Sequence, residues 1–367
     1  MPATVVTRSG RACTTERPAA GKALPVDALV VMADGSRKPM GDVVAGDRVA
    51  STDGRESVVY GVCPQGPRPV HRITFGDGRQ IQADEDHLWL VGCKFWDGPR
   101  LMTTREIARF RAKASRYANT LHVPMASGEL GGAKPLLNPY LLGVLIGDGG
   151  LTAWTPTITS MDPEVLERVR QALPRMHWLG ETSSTSAGKA RTYTVTSAFG
   201  MAPGARNVVA AALDRLGLRH KKSCERFVPE VAFTWSRQDR VGLLQGLMDT
   251  DGTVDPSGTP TFGSSSLRLV EGVIRLVRSL GGKASLQAPK KTTHLDHHRT
   301  GIILPERSEV FHLARKREKC WPHTTHDPRR LRIAAVEPVG EAACQCIAVS
   351  HPSRLFLAGD YVVTHNC

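Results

Sequence analysis

A chain of 367 residues has room for about two domains, since domains run roughly 100–200 residues, and its 41% hydrophobic content is that of a globular protein with real cores. Forty-eight basic against 35 acidic side chains leave a formal charge of +13, which favours a polyanionic partner through counterion release. No apolar run approaches the ~20 residues of a membrane span, residues 1–22 lack the apolar core of a secretory signal, and eight cysteines without a CxxC pair argue against a disulfide scaffold or zinc site, so a cytoplasmic monomer is expected.

Residues 1–22 read as a flexible arm or a fragment of another protein, with an Arg-rich transit peptide as the alternative. They end in TERPAAGK, close to the phosphate-binding pattern GxxxxGK but with Glu16 for the first glycine. From Ala23 to about Gly92 short β-type runs alternate with turns at Asp34-Gly35, Asp53-Gly54 and Asp77-Gly78, each a hairpin signal. Asn138 then caps a helix with Pro139 at its first position. Asp162-Pro163 opens a second helix, Ser236 with Asp239 a third, and Ser266 a fourth that stops at Gly281-Gly282. Strand-like stretches lie between them, so helix, strands and helix occur twice in an internal repeat of about 100 residues. After Arg332 the β-type pattern resumes to the end, as if one β-domain had been interrupted.

Within the repeat, LLGVLIGDG and LQGLMDTDG are two versions of one pattern, each with a glycine on the helix (Gly143, Gly246) and a terminal acid (Asp148, Asp251) 103 positions from its counterpart. Glycines let two helices pack closely and bring both acids to one point, where like charge and the helix dipoles are both unfavourable. A hard cation such as Mg²⁺ relieves that, and a metal between carboxylates suits phosphodiester hydrolysis. These residues resemble the LAGLIDADG homing endonucleases over residues 131–320. The resemblance implies an α/β two-repeat domain, helices at a pseudo-twofold interface, sheets that saddle double-stranded DNA, and Asp148 and Asp251 as catalytic metal ligands. Ile146 stands where the family has a second acid. Lys221, Lys222, Arg226, Lys290 and Lys291 are the DNA-binding candidates, with residues 315–319 (RKREK) as further phosphate-binding candidates; Arg226 replaces a common lysine.

The chain ends VVTHNC. An Asn can attack its own carbonyl and break the following peptide bond when a neighbour such as His365 assists, and the Cys367 thiol can accept an acyl group first. With the split β-domain these residues resemble inteins of the hedgehog/intein (HINT) fold, a mainly β, horseshoe-like splicing domain. Inteins usually begin with Cys or Ser; here Ala23 has no nucleophile. One reading is an inactive or engineered intein. The other is the class 3 type, with a dispersed Trp–Cys–Thr set matched by Trp89, Cys346 and Thr364. Period-2 alternation puts Cys344 and Cys346 on the same strand face and does not separate them; alignment with the family selects Cys346.

That resemblance implies Cys346 attack on the Lys22–Ala23 junction, His87 protonating the leaving amine, transfer to Cys367, and cyclisation of Asn366 with help from His365, while Trp89 and Thr364 position the Cys346 and Asn366 ends. Two departures stand out: Asp84 where a Thr is usual, and Arg354 near a usual helper His. The expected organisation is an N-terminal flank (1–22), HINT segments at 23–125 and 330–366, a nested LAGLIDADG domain at 131–325, and a first downstream flank residue at 367. The host flanks act in cis and include a phosphate-loop ATPase as a candidate. Competing readings are a LAGLIDADG DNA-binding protein with a relic HINT part, and a HINT domain that only cleaves.

Overall fold

The computed structural model describes residues 22–113, 116–182, 190–198, 207–288, 290–291, 296–320, 327 and 329–366. The first 21 residues and Cys367 therefore lie outside the described residues, as do the side chains of Lys290 and Lys291.

The first β-rich segment contains β1 (Leu24–Pro25), β2 (Leu29–Val31), β3 (Arg37–Pro39), β4 (Val59–Phe75), β5 (Gln80–Asp84), β6 (Leu88–Val91), β7 (Arg100–Thr103), helix α1 (Thr104–Ala112) and β8 (His122–Pro124). Two of the three Asp-Gly signals make full hairpins: Gly35 (φ 85°) joins β2 to β3 and Gly78 (φ 82°) joins β4 to β5. Around Asp53-Gly54 only an isolated bridge, Arg48 to Val58, closes. Helix α1 lies beyond the stretch read as strands, which ended at about Gly92, and had no reading of its own. It starts at a capping box in which Thr103 accepts from the Glu106 amide and Glu106 accepts from the Thr103 amide.

The middle segment folds as two repeats. The first has α2 (Pro139–Asp148), β9 (Gly149–Gly150), β10 (Thr157–Ser160), α3 (Pro163–Ala172), β11 (His177–Glu181), β12 (Arg191–Ser197) and α4 (Val208–Arg215). The second has α5 (Arg237–Asp251), β13 (Gly252–Val254), β14 (Pro260–Ser264), α6 (Leu267–Ser279), β15 (Lys283–Leu286), β16 (Lys290–Lys291), β17 (Asp296–Ile303) and α7 (Ala314–Arg317). All four caps read from the sequence form: Asn138, Asp162, Ser236 and Ser266 each accept a first-turn amide. Each repeat carries one antiparallel sheet, ordered β11-β12-β10-β9 and β13-β14-β17-β15. One apolar core, from Leu137 to Leu313, lies under both.

The chain then returns through β18 (Arg330–Val349), β19 (Leu355–Ala358) and β20 (Val362–His365). The long β18 pairs with β4 along most of its length and takes β1 on its other edge. β8 pairs with the start of β18, Pro124 opposite Arg330, so the segment between them leaves and re-enters through neighbouring strands. A second sheet runs β20-β19-β2-β3. One core from Leu24 to Val362 draws on both terminal segments. The molecule is therefore a mainly β domain interrupted by a two-repeat α/β domain.

Candidate functional site

At the first site β1 delivers the start of the described chain to β18, with Leu24 opposite Gln345 and Pro25 opposite Cys344. Ala23, Cys344 and Cys346 share one small buried cluster, continuing that register. The Ala23 carbonyl accepts from the Asp84 amide (3.0 Å). Asp84 also opens the turn that carries His87: its carbonyl accepts from the His87 amide (3.1 Å), and its fully buried carboxylate pairs with Arg68 (2.6 Å). The residue that departs from the usual pattern thus holds both the junction and the histidine.

His87 is buried, and burial pushes its imidazole down to about 3, against a hydrogen bond with the Lys22 backbone. The ring is neutral at pH 7. Its Nε2 meets the Thr364 hydroxyl, and its ring packs edge-on to Trp89 with centroids 5.0 Å apart. Trp89 is fixed in turn by donation from Nε1 to Thr104 Oγ1 (2.9 Å). Trp89 and Thr364 both contact His87, which stands between the two ends they were expected to position. Thr104 had no signal in the sequence, because a hydroxyl fifteen residues from its partner is invisible to spacing.

β20 carries the other end. His365 Nδ1 lies 2.6 Å from the Asn366 carbonyl oxygen, and burial lowers the pKa of this ring too. The Asn366 amide donates to Arg354 O (2.8 Å) and its Nδ2 to Val349 O (3.4 Å). Arg354 contributes here through its backbone carbonyl. Cys344 and Cys346 differ in state. Burial, then the charge of Asp84, pushes the Cys344 thiol up to about 11, and its Sγ–H donates to Ala342 O (3.3 Å). Cys346 is disulfide-bonded, whereas Cys63, Cys93, Cys224, Cys320 and Cys344 are free. Cysteine spacing gave no hint of that bond.

At the second site α2 and α5 touch at their glycines. A Cβ added at Gly143 would lie 2.9 Å from the Gly246 Cα, and one at Gly246 would lie 2.9 Å from the Gly143 Cα. Such contact is open only to glycine. Burial and then the charge of Asp148 push Asp251 up to about 6, and burial raises Asp148 as well. Among the described residues no cluster of three or more His, Cys, Asp or Glu stands ready for a metal. The two acids fit a divalent cation that takes its other ligands from substrate or water, since burial destabilises both charges and Asp148 adds its repulsion at Asp251.

Two cations lie beneath these helix ends. Arg226 is not a surface phosphate-binder: it is buried and donates to the carbonyls of Ile146 (2.7 Å), Gly147 and Gly149. Lys316, from the RKREK segment, is its counterpart and donates to the carbonyls of Met248 (2.9 Å), Asp249 (2.7 Å) and Gly252 (2.7 Å). Carbonyl-rich helix C-termini draw cations inward. Arg315 pairs instead with Asp162 (2.7 Å). Lys222 is exposed and Lys221 half-buried. Asp249, counterpart of Ile146, accepts from Tyr140 Oη (2.9 Å) and from the amides of His312 (3.1 Å) and Leu313 (3.2 Å). It ties α5 to α2 and to the segment before α7.

Residues 239–311 match the LAGLIDADG-like domain family. The whole chain is similar to a replicative DNA helicase DnaB of Mycobacterium intracellulare, with 28% identity over 379 residues, covering 95% of this chain and 59% of the helicase. The chain thus spans less than two thirds of that relative. Among solved structures it is similar to the MchDnaB-1 intein (12% identity, TM-score 0.30, 94% of this chain and 99% of the other). It is also similar to mesophilic variants of the homing endonuclease I-DmoI (16% identity, TM-score 0.32, 48% and 91%). The second repeat thus contains a LAGLIDADG-like domain, and the interrupted β-domain around it brings both of its ends to one buried centre.

Proposed function

We propose that this chain removes itself by class 3 protein splicing from a DnaB-like helicase in the cytoplasm, and that its nested domain is a Mg²⁺-dependent endonuclease for double-stranded DNA. The observation that carries the first part is one buried centre holding Ala23, Cys346, His87, Thr364, His365 and Asn366. We assign 23–125 and 330–366 to splicing, 131–325 to the endonuclease, 1–22 and 367 to the host. The DnaB relative and the Gly21-Lys22 pair both fit an ATPase phosphate loop interrupted after Lys22.

Cys346, once reduced, gives its thiol proton to neutral His87 as sulfur attacks the Lys22 carbonyl carbon. The Lys22–Ala23 C–N bond breaks, and the imidazolium returns the proton to the Ala23 amine. The burial that keeps His87 neutral at rest makes its imidazolium a strong acid, suited to protonating the Ala23 amine as it leaves. The acyl group passes from Cys346 to the Cys367 thiol. Asn366 Nδ2 then attacks its own carbonyl carbon, whose oxygen accepts from the His365 Nδ1–H, and releases the amine of Cys367. An S-to-N shift joins Lys22 to Cys367.

In the endonuclease, Asp148 and Asp251 would hold the cation. Mg²⁺ supplies activation of water and stabilisation of the leaving oxygen. Arg226 and Lys316 hold the helix ends that aim the two acids. Lys221, Lys222, Lys290 and Lys291 would meet phosphates.

The test is expression of the full chain with a foreign flank after Cys367, under reducing conditions, with mass spectrometry for ligated flanks. Unchanged precursor would count against splicing and favour the relic reading. Cys346→Ala should abolish cleavage at Lys22–Ala23 while Cys344→Ala leaves it; the opposite pair of results reassigns the nucleophile.

A further inference from the structure

The turn between β19 and β20 sits against the nested domain, away from either reaction centre. The Asp360 carboxylate in that turn is held from two sides. Arg37 of β3 donates to Oδ1 (3.0 Å), and Arg278 of α6 donates to Oδ2. Arg278 also donates to the Asp77 carbonyl (2.8 Å) in the β4–β5 turn, and is itself fixed on Ala284 O (2.8 Å). A second arginine reaches the opposite way. Arg79, fully buried and paired with Asp77 (2.9 Å), donates to Tyr361 O (3.3 Å) and across the boundary to Gly282 O (2.5 Å). The two domains thus exchange arginines over one three-residue turn.

That turn needs holding. Tyr361 has φ 59°, a left-handed conformation that a bulky side chain rarely adopts, and Gly359, two positions before it, has φ 58°. Both lie between Ala358 and Val362, which pair across the hairpin. From Val362 the chain runs straight through β20 to Thr364 on His87 and His365 on the Asn366 carbonyl. The Gly359 amide also donates to Leu29 O (2.6 Å) and the buried Tyr361 ring lies under Arg37 (5.1 Å), both inside the β-domain, so Asp360–Arg278 is a side-chain pair that ties this turn to the nested domain.

We infer that Asp360 and Arg278 are positioning residues for release of the C-terminal end: the nested domain clamps the turn from which β20 presents His365 and Asn366. This rests on the splicing reading above, and goes beyond it by giving the endonuclease domain a part in splicing.

The test uses the full chain with a flank after Cys367, following two rates in one sample: thioester formation at Lys22, and decay of the branched intermediate through Asn366. In Arg278→Ala and in Asp360→Ala the decay should fall about tenfold while thioester formation stays within about twofold. The double variant should be no slower than Asp360→Ala alone, because both act through one contact. Arg278→Lys should recover part of the rate. Unchanged decay, equal slowing of both steps, a double variant as slow as the product of the singles, or an inert Lys variant would each overturn the inference. A parent chain that forms no ligated product would instead refute the splicing reading itself.

Discussion

His87 shows how one side chain is shaped by its surroundings. Burial, the Thr364 hydroxyl, the Trp89 ring and the Lys22 backbone all converge on it. A ring held down at about 3 stays neutral across the physiological range, so this group should impose no pH dependence on the first step between pH 5 and 8. A rate of thioester formation that fell with a pKa near 6.5 would show instead an ordinary solvated histidine. Trp89→Phe keeps the ring contact and loses the bond to Thr104, whose hydroxyl keeps only its donation to His87 O (3.4 Å), and a net hydrogen bond lost costs about 0.5–1.5 kcal/mol. Thermal unfolding should report that loss. Asp251 behaves in the opposite sense. Its pKa is raised to about 6, so its stabilising neutral form is fully present below the ordinary value of 3.8 and lost as pH rises through 6. Protons and a cation therefore compete for the pair, so DNA cutting should need more metal as pH drops below about 6, and Asp148→Asn or Asp251→Asn should abolish it. Persistent cutting by both variants would show that the acids were misassigned.

Among the elements, the α2–α5 pair is the most constrained. Gly143 and Gly246 each sit where a methyl group would strike the partner helix backbone, so Gly143→Ala or Gly246→Ala should destabilise the nested domain by about 1–3 kcal/mol or more. Denaturant titration of each variant checks this. Much of this was legible in the sequence, because caps, glycines and terminal acids act within a turn or two of themselves: Asn138, Asp162, Ser236 and Ser266 all behave as read. The interior cations were not. Arg226 and Lys316 look like surface charge by composition, and only the fold shows each one filling the open carbonyl end of a helix. Helix α4 was missed although Asn207 caps it by accepting from two amides. The disulfide at Cys346 was beyond reach for another reason: cysteine spacing does not say which thiols the fold brings together.

For the whole molecule, the two parts are separate in core and joined at their boundary. The buried guanidinium of Arg240 in α5 donates to Gly128 O (2.6 Å) and Leu130 O (3.1 Å) in the connecting segment, while burial pulls its pKa down to about 10. Because Pro124 and Arg330 are paired neighbours, replacing residues 127–328 by a short turn should leave the β-domain folded. The shortened chain should form the Lys22 thioester at close to the parental rate yet release its C-terminal end slowly, having lost Arg278. Fast release would show that the β-domain needs no outside support.

The adjacency of β8 and β18 also has a consequence in time. β4 and β18 contact each other across more than 250 positions of chain, and contacts of such separation form late in folding. The entropy of closing that loop grows only slowly with its length, but the closure is easier once the intervening segment has become compact. Folding of the inserted domain brings Pro124 and Arg330 side by side and so starts the zipper that ends with Cys346 beside Ala23. Under the proposed splicing, the cut that frees this protein from its host would in that sense be a report on the folding of its own passenger.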